Sequence, residues 1–177
     1  MPKAKRAQKT APASDPEFVS VGLPHVPSSY GLKPRKTYLP WKHAVERLAK
    51  SKNYWICTVR PDGRPHSIPV SGFWLEDAFF FGTARGTRKE QNLSRNAALS
   101  VHLDSGDDVV ILEGNAVEVS DPATFKKLDV ASRTKYQMPM MLMPESVFYR
   151  VRPRVVLAWT EKEFPKNATR WELKPKA

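Results

Sequence analysis

Residues 54–83 read "YWICTVRPDGRPHSIPVSGFWLEDAFFFGT", and this stretch decides the fold. Two extended runs flank Pro-Asp-Gly at 61–63, a turn signal in which proline presets φ and glycine takes the permissive position. A third extended run follows the short turn Leu-Glu-Asp at 75–77. The pattern predicts a meander of three antiparallel strands at about 54–60, 65–74 and 78–83.

The middle strand of this meander contains two prolines, Pro65 and Pro69. Proline has no N–H to donate to a ladder, so one side of the strand is predicted to be an edge, a bulge or open to a ligand. A flat heteroaromatic ring could occupy such a gap and accept hydrogen bonds from neighbouring N–H groups. His66, in the same strand, has a second interpretation as a structural side chain bonded to a carbonyl.

The remaining elements follow in an order that disfavours a parallel α/β sheet, because strands and helices do not alternate. Apolar residues at helical spacing after Pro40 predict a helix at 41–52, and further helices are expected at 88–95 and 121–136. Further strands are expected at 98–104, 109–120, 147–160 and 168–173. We therefore predict a mainly β (α+β) fold, a barrel of six to seven mostly antiparallel strands with two to three peripheral helices.

The formal net charge is +11, and it is unevenly distributed. Residues 1–40 hold seven Lys/Arg against two Asp/Glu, which is about half of the excess. We interpret residues 1–38 as a disordered or loosely docked basic extension and residues 39–177 as the folded domain. The extension is either a solvated tail or an arm for anions. A nucleic-acid partner is disfavoured, because no strand of the domain interleaves basic and stacking residues.

Several kinds of chemistry have no signature in the sequence. The four histidines are scattered, so no metal site is predicted. The single cysteine, Cys57, allows no disulfide within the chain, which favours a reducing cytoplasm. No membrane span or signal peptide is expected, and there is no P-loop or dinucleotide fingerprint. If the protein is an enzyme, a bound cofactor is therefore expected to supply the chemistry.

One cluster of polar residues remains where the third strand passes into the second helix. It combines hydroxyls, two adjacent cations and an amide, a composition suited to a phosphate group. The alternative is a solvated pair of cations offset by a nearby acid such as Glu90. The members of the cluster are Thr83, Thr87, Arg88, Lys89 and Asn92.

Four motifs, taken in order, resemble a known family. They are "TVR-x-DG-x-PH-x-x-PV-x-G-x-W" at 58–74, "FFFGTARGTRKEQNL" at 79–93, "VVILEGNAV" at 109–117 and "ATRWEL" at 168–173. Together they are similar to the pyridoxamine 5′-phosphate oxidase-like, FMN-binding split-barrel superfamily. Within it they most resemble the flavin/deazaflavin oxidoreductases, the branch that includes coenzyme F420-dependent reductases. The resemblance covers about residues 41–173.

The resemblance implies a split-barrel homodimer that binds FMN or coenzyme F420 at its subunit interface. The phosphate-binding Arg-Lys pair of the family falls on Arg88 and Lys89, and its strand-end threonine falls on Thr83. The strand lining the isoalloxazine ring falls on residues 66–71, with Pro69, Val70 and Ser71 nearest. The late aromatic residue and arginine that the family takes from the partner subunit resemble Trp159 and Arg170.

The function implied by the resemblance is an oxidoreductase that transfers a hydride to or from a small conjugated substrate. The alternative is a non-catalytic protein that binds or sequesters a flavin or deazaflavin. The chain ends in "ATRWELKPKA" without the Arg-Leu-x-Pro signature of the true oxidases, which argues against vitamin B6 oxidation. Arg60, Arg64 and Arg85 could neutralise the acidic tail of a deazaflavin.

Overall fold

The computed structural model describes residues 15–175, so residues 1–14 of the predicted extension lie outside the described part of the chain. Short 3₁₀ turns occur at 28–30 and 161–163. The main elements, in chain order, are β1 (Phe18–Gly22), α1 (Trp41–Lys50), β2 (Asn53–Val59), β3 (Pro65–Leu75), β4 (Ala78–Ala84), α2 (Arg88–Leu93), β5 (Ala98–His102), β6 (Asp108–Glu118), α3 (Pro122–Tyr136), β7 (Ser146–Thr160) and β8 (Thr169–Leu173).

The strands form one antiparallel sheet that closes on itself. Their order is β1-β8-β7-β4-β3-β2-β5-β6, and an additional pairing of β6 with β7 closes a six-stranded barrel. Strands β8 and β1 extend the sheet beyond the barrel. The predicted mainly β barrel with peripheral helices is confirmed. The eighth strand, β1, was not among the strands expected from the sequence.

Strand β3 is paired differently along its two halves. Residues 65–71 pair with β2, and residues 72–75 pair with β4. Within the described chain, the half that contains Pro65 and Pro69 therefore has a strand on one side only. The sequence prediction that this strand is open on one side is confirmed, and the barrel is split at this point.

Residues 15–38 lie against the barrel through β1 and through Arg35. β1 pairs with β8 from Phe18↔Leu173 to Gly22↔Arg170. The Arg35 guanidinium donates to the carbonyls of Pro165 and Ala168 at 3.2 and 2.7 Å. The boundary between extension and domain, placed at residues 38 and 39 from the sequence, stays a prediction.

Strand β4 contains three consecutive phenylalanines, and all three are buried although they point to opposite faces of the sheet. Side chains alternate across a strand, so Phe79 and Phe81 enter the barrel interior while Phe80 faces outward. The interior ones join the main core, which contains the edge-to-face rings of Trp41, Trp74 and Trp171. Phe80 instead joins a second cluster, under α3, whose other buried members include Phe73, Leu128 and Phe148. The sheet is therefore covered on both faces where β4 lies.

The helices begin as the sequence predicts. Pro40 occupies the N-cap of α1 in extended conformation, and the buried stripe of α1 is Trp41, Ala44 and Leu48. The Asp121 side chain accepts from the Thr124 N–H at 2.7 Å and caps α3. None of the helices between residues 15 and 175 has the length and apolar character that crossing a lipid bilayer requires.

Candidate anion and cofactor site

The turn between β4 and α2 engages Glu90, the acid next to Arg88 and Lys89 in the sequence. Glu90 is buried, and its carboxylate accepts from the Gly86 N–H at 3.0 Å and from Arg85 Nη1 at 3.3 Å. Neither Arg88 nor Lys89 forms an ion pair with any carboxylate of residues 15–175. Glu90 therefore does not neutralise this cation pair.

Lys89 lies in the wall of a cavity. The cavity has a volume of about 390 Å³, which is within the usual range for small-molecule sites. Burial lowers the pKa of Lys89 below its ordinary value, so part of the hydration of this ammonium group is lost. A charge that is partly dehydrated and has no counter-ion gains more from a bound anion than an exposed one does. The lining of the cavity is completed by Val70, Ser71, Phe73, Gly82, Ser132, Tyr136, Met138, Pro139, Met140, Met141 and Phe148.

Two threonine hydroxyls join the end of β4 to the start of α2. The Oγ1 atoms of Thr83 and Thr87 are 2.9 Å apart, and Thr87 Oγ1 also donates to the Ala84 carbonyl at 2.9 Å. The Thr87 hydroxyl consequently makes no capping bond to the helix. This arrangement fixes the turn that carries Arg88 and Lys89.

His66 and Asn92 are linked through Thr58, a residue that the sequence analysis did not single out. Asn92 is fully buried and donates from Nδ2 to Thr58 Oγ1 at 2.9 Å. The same hydroxyl lies 3.4 Å from both Nδ1 and the carbonyl oxygen of His66. Asn92 Oδ1 is buried and has no hydrogen-bond partner in the described chain, and neither does Arg60 Nε. Thr58 could have been found as a polar residue at an inward position of β2.

Three cations lie near enough to His66 to affect its pKa. Its pKa is lowered first by burial and then by the positive charges of Arg60, Lys89 and Arg88. We call Arg60, Arg88 and Lys89 the cationic cluster. Its members are the residue that follows β2 and the first two residues of α2.

The three arginines that could neutralise the acidic tail of a deazaflavin differ in their ion-pair partners. Arg64 binds Asp62 through Nε and Nη2 at 2.9 and 2.7 Å. Arg85 is paired with Glu90 and Glu118. Arg60 forms no ion pair within residues 15–175, so it alone of the three is available to an anion without exchanging a partner.

Not all of the expected site residues come together in one chain. Val70 and Ser71 line the Lys89 cavity, whereas Pro69 is exposed, does not line the cavity and is paired with Trp55. Trp159 lies twelve residues along β7 from Val147, the partner of Thr83. At about 3.3 Å per residue this is roughly 40 Å along the strand. Arg170 lies beside that far end of β7 and pairs with Glu172 at 3.0 Å.

The sequence analysis also did not single out α3 or the segment after it as part of the cavity wall. Tyr136 and Ser132 contribute from the helix, and the methionines follow. Met140 packs in the second core cluster, but Met138 and Met141 are 48% and 64% exposed. The run "MPMMLM" could have indicated this wall of the cavity, since exposed methionines form adaptable contact surfaces.

The fold is a split barrel with a cavity beside Lys89, and sequence comparison identifies its family. A sequence profile described as pyridoxamine 5′-phosphate oxidase matches residues 40–160. The chain therefore belongs to the pyridoxamine 5′-phosphate oxidase family. A search of curated protein sequences found no match.

Solved structures share the fold at low sequence identity. A conserved hypothetical protein, Rv2991, from Mycobacterium tuberculosis is 22% identical, with 73% of this chain and 90% of that one covered and a TM-score of 0.63. General Stress Protein 26 from Bacillus anthracis is 20% identical, with 66% and 91% covered and a TM-score of 0.55. A FAD-binding protein from Mesorhizobium loti is 17% identical, with 75% and 95% covered and a TM-score of 0.52.

The residues present fit the phosphate end of a flavin-type cofactor. The fit rests on the partly dehydrated Lys89 ammonium and the buried Arg60 Nε, neither of which has a partner among residues 15–175, and on two hydroxyls at the turn. The split edge of β3 leaves backbone groups of residues 65–71 without a second strand. Among residues 15–175 no cluster of His, Cys, Asp or Glu side chains could hold a metal ion.

Proposed function

We propose that this protein is an oxidoreductase that binds FMN or coenzyme F420 and transfers a hydride to or from a small conjugated substrate. The observation that carries the proposal is Lys89, a partly buried ammonium in the wall of a 390 Å³ cavity with no carboxylate of residues 15–175 paired to it. Membership in the family supports a flavin-type cofactor. The lone thiol, Cys57, supports a reducing cytoplasm as the compartment.

Each part of the site has a separate role in this proposal. Lys89 binds the phosphate from the cavity beside β3, Arg88 contributes its charge from the neighbouring groove, and the Thr83 hydroxyl completes the hydrogen bonds of the phosphate. Thr58 and Asn92 hold His66 in place behind the cationic cluster. The free edge of β3 at Pro69, Val70 and Ser71 orients the ring, which supplies the hydride chemistry when bound. The chain's own contribution is to bind, orient and exclude water.

Two neighbouring cavities bear on the choice between the cofactors. Lys89 lines the cavity beside β3, whereas Arg88 lines a separate groove of about 380 Å³. That groove also contains Arg95, together with Pro61, Gln91 and Ser94. A cofactor that carries a second anionic group beyond its first phosphate could use both cavities, and this favours coenzyme F420. FMN would need only the Lys89 side.

The proposal includes a homodimer. Trp159 and Arg170 lie at the opposite end of β7 from the cationic cluster, so one chain does not bring them to its own cavity. A second copy would have to supply them. Light scattering of the purified protein tests this, and a monomer at micromolar concentration would contradict it.

The cofactor assignment is tested by titrating purified protein with FMN and with coenzyme F420 and following their absorbance bands. We expect micromolar or tighter binding of one of them. Replacement of Lys89 by methionine, which keeps the aliphatic stem and removes the charge, should weaken binding roughly 10- to 150-fold, about 1.5–3 kcal/mol. The matched control is Lys126→Met, which removes an exposed charge from α3.

Three outcomes of this experiment separate the alternatives. Binding of neither cofactor would reject the proposal. Equal affinities of the two lysine variants would reject the role of Lys89. Tight binding without turnover of any reducible substrate would favour the sequestering protein over the enzyme.

A further inference from the structure

The lining of the cavity beside Lys89 falls into two chemically different parts. Lys89 from α2 and Ser71 from β3 belong to the part that the proposed function assigns to the cofactor. The second part, which we call the α3 wall, consists of Ser132, Tyr136 and residues 138–141. No residue of the α3 wall is charged. It therefore offers nothing to the anionic end of a cofactor and suits an uncharged molecule or group.

Two aromatic rings line the cavity together with the α3 wall, and packing holds both in place. Phe148 meets Phe125 of α3 edge to face, with ring centroids 5.7 Å apart, and Phe73 meets Tyr136 in the same way at 5.5 Å. Gly82 leaves room for the first of these rings, because a Cβ there would lie 2.8 Å from Phe148. Aromatic faces and adaptable methionines together form an apolar surface on which a flat ring can pack.

One hydroxyl of the α3 wall has no hydrogen-bond partner among residues 15–175. Ser132 is only 5% exposed, it lines the cavity, and its Oγ bonds to no other group of the described chain. The Tyr136 hydroxyl, in contrast, accepts from the Gly72 N–H at 2.9 Å and donates to the Lys52 carbonyl at 2.8 Å. A buried hydroxyl without a partner costs free energy, and a ligand that bonds to it recovers that cost.

We propose that the α3 wall binds the substrate, an uncharged conjugated ring compound whose carbonyl oxygen accepts a hydrogen bond from Ser132 Oγ. This inference rests on the proposed function and specifies its substrate class. A conjugated molecule that exchanges a hydride needs an electronegative atom to carry the matching electron pair, and a conjugated carbonyl oxygen is an uncharged group that does so. A hydroxyl aimed at this oxygen stabilises the charge that develops there. Ser132 is thus a specificity-determining residue.

The test measures the binding of two ring compounds of similar size, p-fluoroacetophenone and p-fluoroethylbenzene, of which only the first has a carbonyl. Fluorine NMR titration of the purified full-length protein gives both dissociation constants without any reaction. Ser132→Ala removes the hydroxyl and very little volume. The control is Thr134→Ala, which removes an exposed hydroxyl from the same helix, one that donates to the Val130 carbonyl and does not line the cavity.

We expect Ser132→Ala to weaken binding of the ketone roughly three- to tenfold, the range of one neutral hydrogen bond, and to change binding of the hydrocarbon less than about twofold. Thr134→Ala should change neither. Equal affinity of wild type and Ser132→Ala for the ketone would overturn the proposal. Equal weakening for both compounds would overturn it too, because it would show an effect of shape. Absence of binding of either compound by wild type would exclude the α3 wall as their site.

Titration of the same proteins with FMN and coenzyme F420 separates this inference from the cofactor assignment. We expect Ser132→Ala to bind the cofactor as tightly as wild type does, because the hydroxyl is assigned to the substrate. A cofactor affinity that falls together with that of the ketone would place Ser132 in the cofactor site and overturn the substrate role. Normal cofactor binding without any effect of Ser132→Ala on the ketone would overturn this inference alone. Binding of neither cofactor by wild type would instead reject the oxidoreductase and, with it, the substrate role.

Discussion

The two halves of β3 show how one strand can build both the core and the candidate site. Residues 72–75 pair with β4, and Gly72, Phe73 and Trp74 are buried. Residues 65–71 pair only with β2 in the described chain, and their side chains alternate between exposed and half-buried. Residues 65–71 therefore have no second neighbouring strand and bury less apolar surface. Their backbone groups on that side are not paired to a strand, and His66 lies near the cationic cluster.

Gly72 is the junction between the two halves, and α3 satisfies its backbone. Its N–H donates to the Tyr136 hydroxyl at 2.9 Å, and its carbonyl accepts from Lys135 Nζ at 3.0 Å. β2 does not extend to this point, because its first residue, Asn53, pairs with Ser71. Two side chains of α3 thus replace the missing strand and hold the helix, with its share of the cavity wall, against the barrel.

The largest expected effect comes from breaking the paired half with Gly72→Ala. A Cβ at this position would lie 2.5 Å from the Phe79 ring and 2.8 Å from the Phe80 carbonyl oxygen. The carbonyl cannot move without disturbing the ladder, so we expect a loss of about 3 kcal/mol or more in the free energy of unfolding. Urea denaturation measures it. The control Ser71→Ala, exposed and one residue into the split half, should cost less than about 0.5 kcal/mol. A cost below about 1 kcal/mol for the glycine variant would contradict the close packing.

A smaller effect is expected from Asn92→Ala, which removes the support behind the split half. The variant loses the hydrogen bond to Thr58 and leaves a small cavity, so we expect a loss of about 2 kcal/mol in stability. Gln91→Ala is the control, because Gln91 is also an amide and its bond to the Gly86 carbonyl is exposed. If both substitutions lower the free energy of unfolding equally, the buried hydrogen bond from Asn92 of α2 to Thr58 of β2 contributes no more to stability than an exposed one.

The junction between the halves should also make stability depend on pH. Burial lowers the pKa of Lys135 to about 8 from an ordinary value of 10.5. Below pH 8 the lysine is charged in both states and the folded protein bears the desolvation penalty. Between pH 8 and 10.5 only the unfolded state keeps the proton, so stability rises with pH and then levels off.

Lys135→Met isolates this dependence, since it removes the titrating group and keeps the stem. Because the lysine is only half-buried, we expect wild type to gain on the order of 1 kcal/mol relative to the variant between about pH 8 and 10. Urea denaturation across that range provides the measurement. A constant difference between the two proteins over this range would rule out a lowered pKa.

The sequence predicted what depends on local pattern. Pro65 and Pro69 indicated an open side of β3, and Pro40 and Asp121 marked the starts of α1 and α3. β1 was not predicted, because its residues, "FVSVG", become a strand through pairing with β8, more than 140 residues away. Such a pairing leaves no local signal.

The candidate site was predictable as a set of residues but not as a geometry. The adjacency of Arg88 and Lys89 suggested one shared anion, yet their side chains line different cavities. Glu90 was a possible partner for them from its position, and the turn instead directs Gly86 and Arg85 to it. Side-chain direction and long-range neighbours decide both points, and neither is encoded in spacing.

The smallest expected effect concerns His66, which lies in the split half of β3. In the free protein its pKa is lowered by burial and by the charges of the cationic cluster. A bound dianion offsets those charges, so the pKa of His66 should rise on binding and a proton should be taken up. Affinity for the anion then increases as pH falls from the bound to the free pKa of His66.

Sulfate is a suitable probe, because it is a dianion that does not titrate in this range. We expect sulfate to bind roughly two- to fivefold more tightly at the acid end of the His66 titration than at neutral pH. NMR of the imidazole protons reports the pKa of His66 with and without sulfate, and His66→Asn identifies its signals and should abolish the pH dependence. His25 is an internal reference, since it is exposed and lies in the segment before α1. An unchanged pKa of His66 in saturating sulfate would mean that the anion binds elsewhere, and the split half of β3 would then differ from the paired half in packing only.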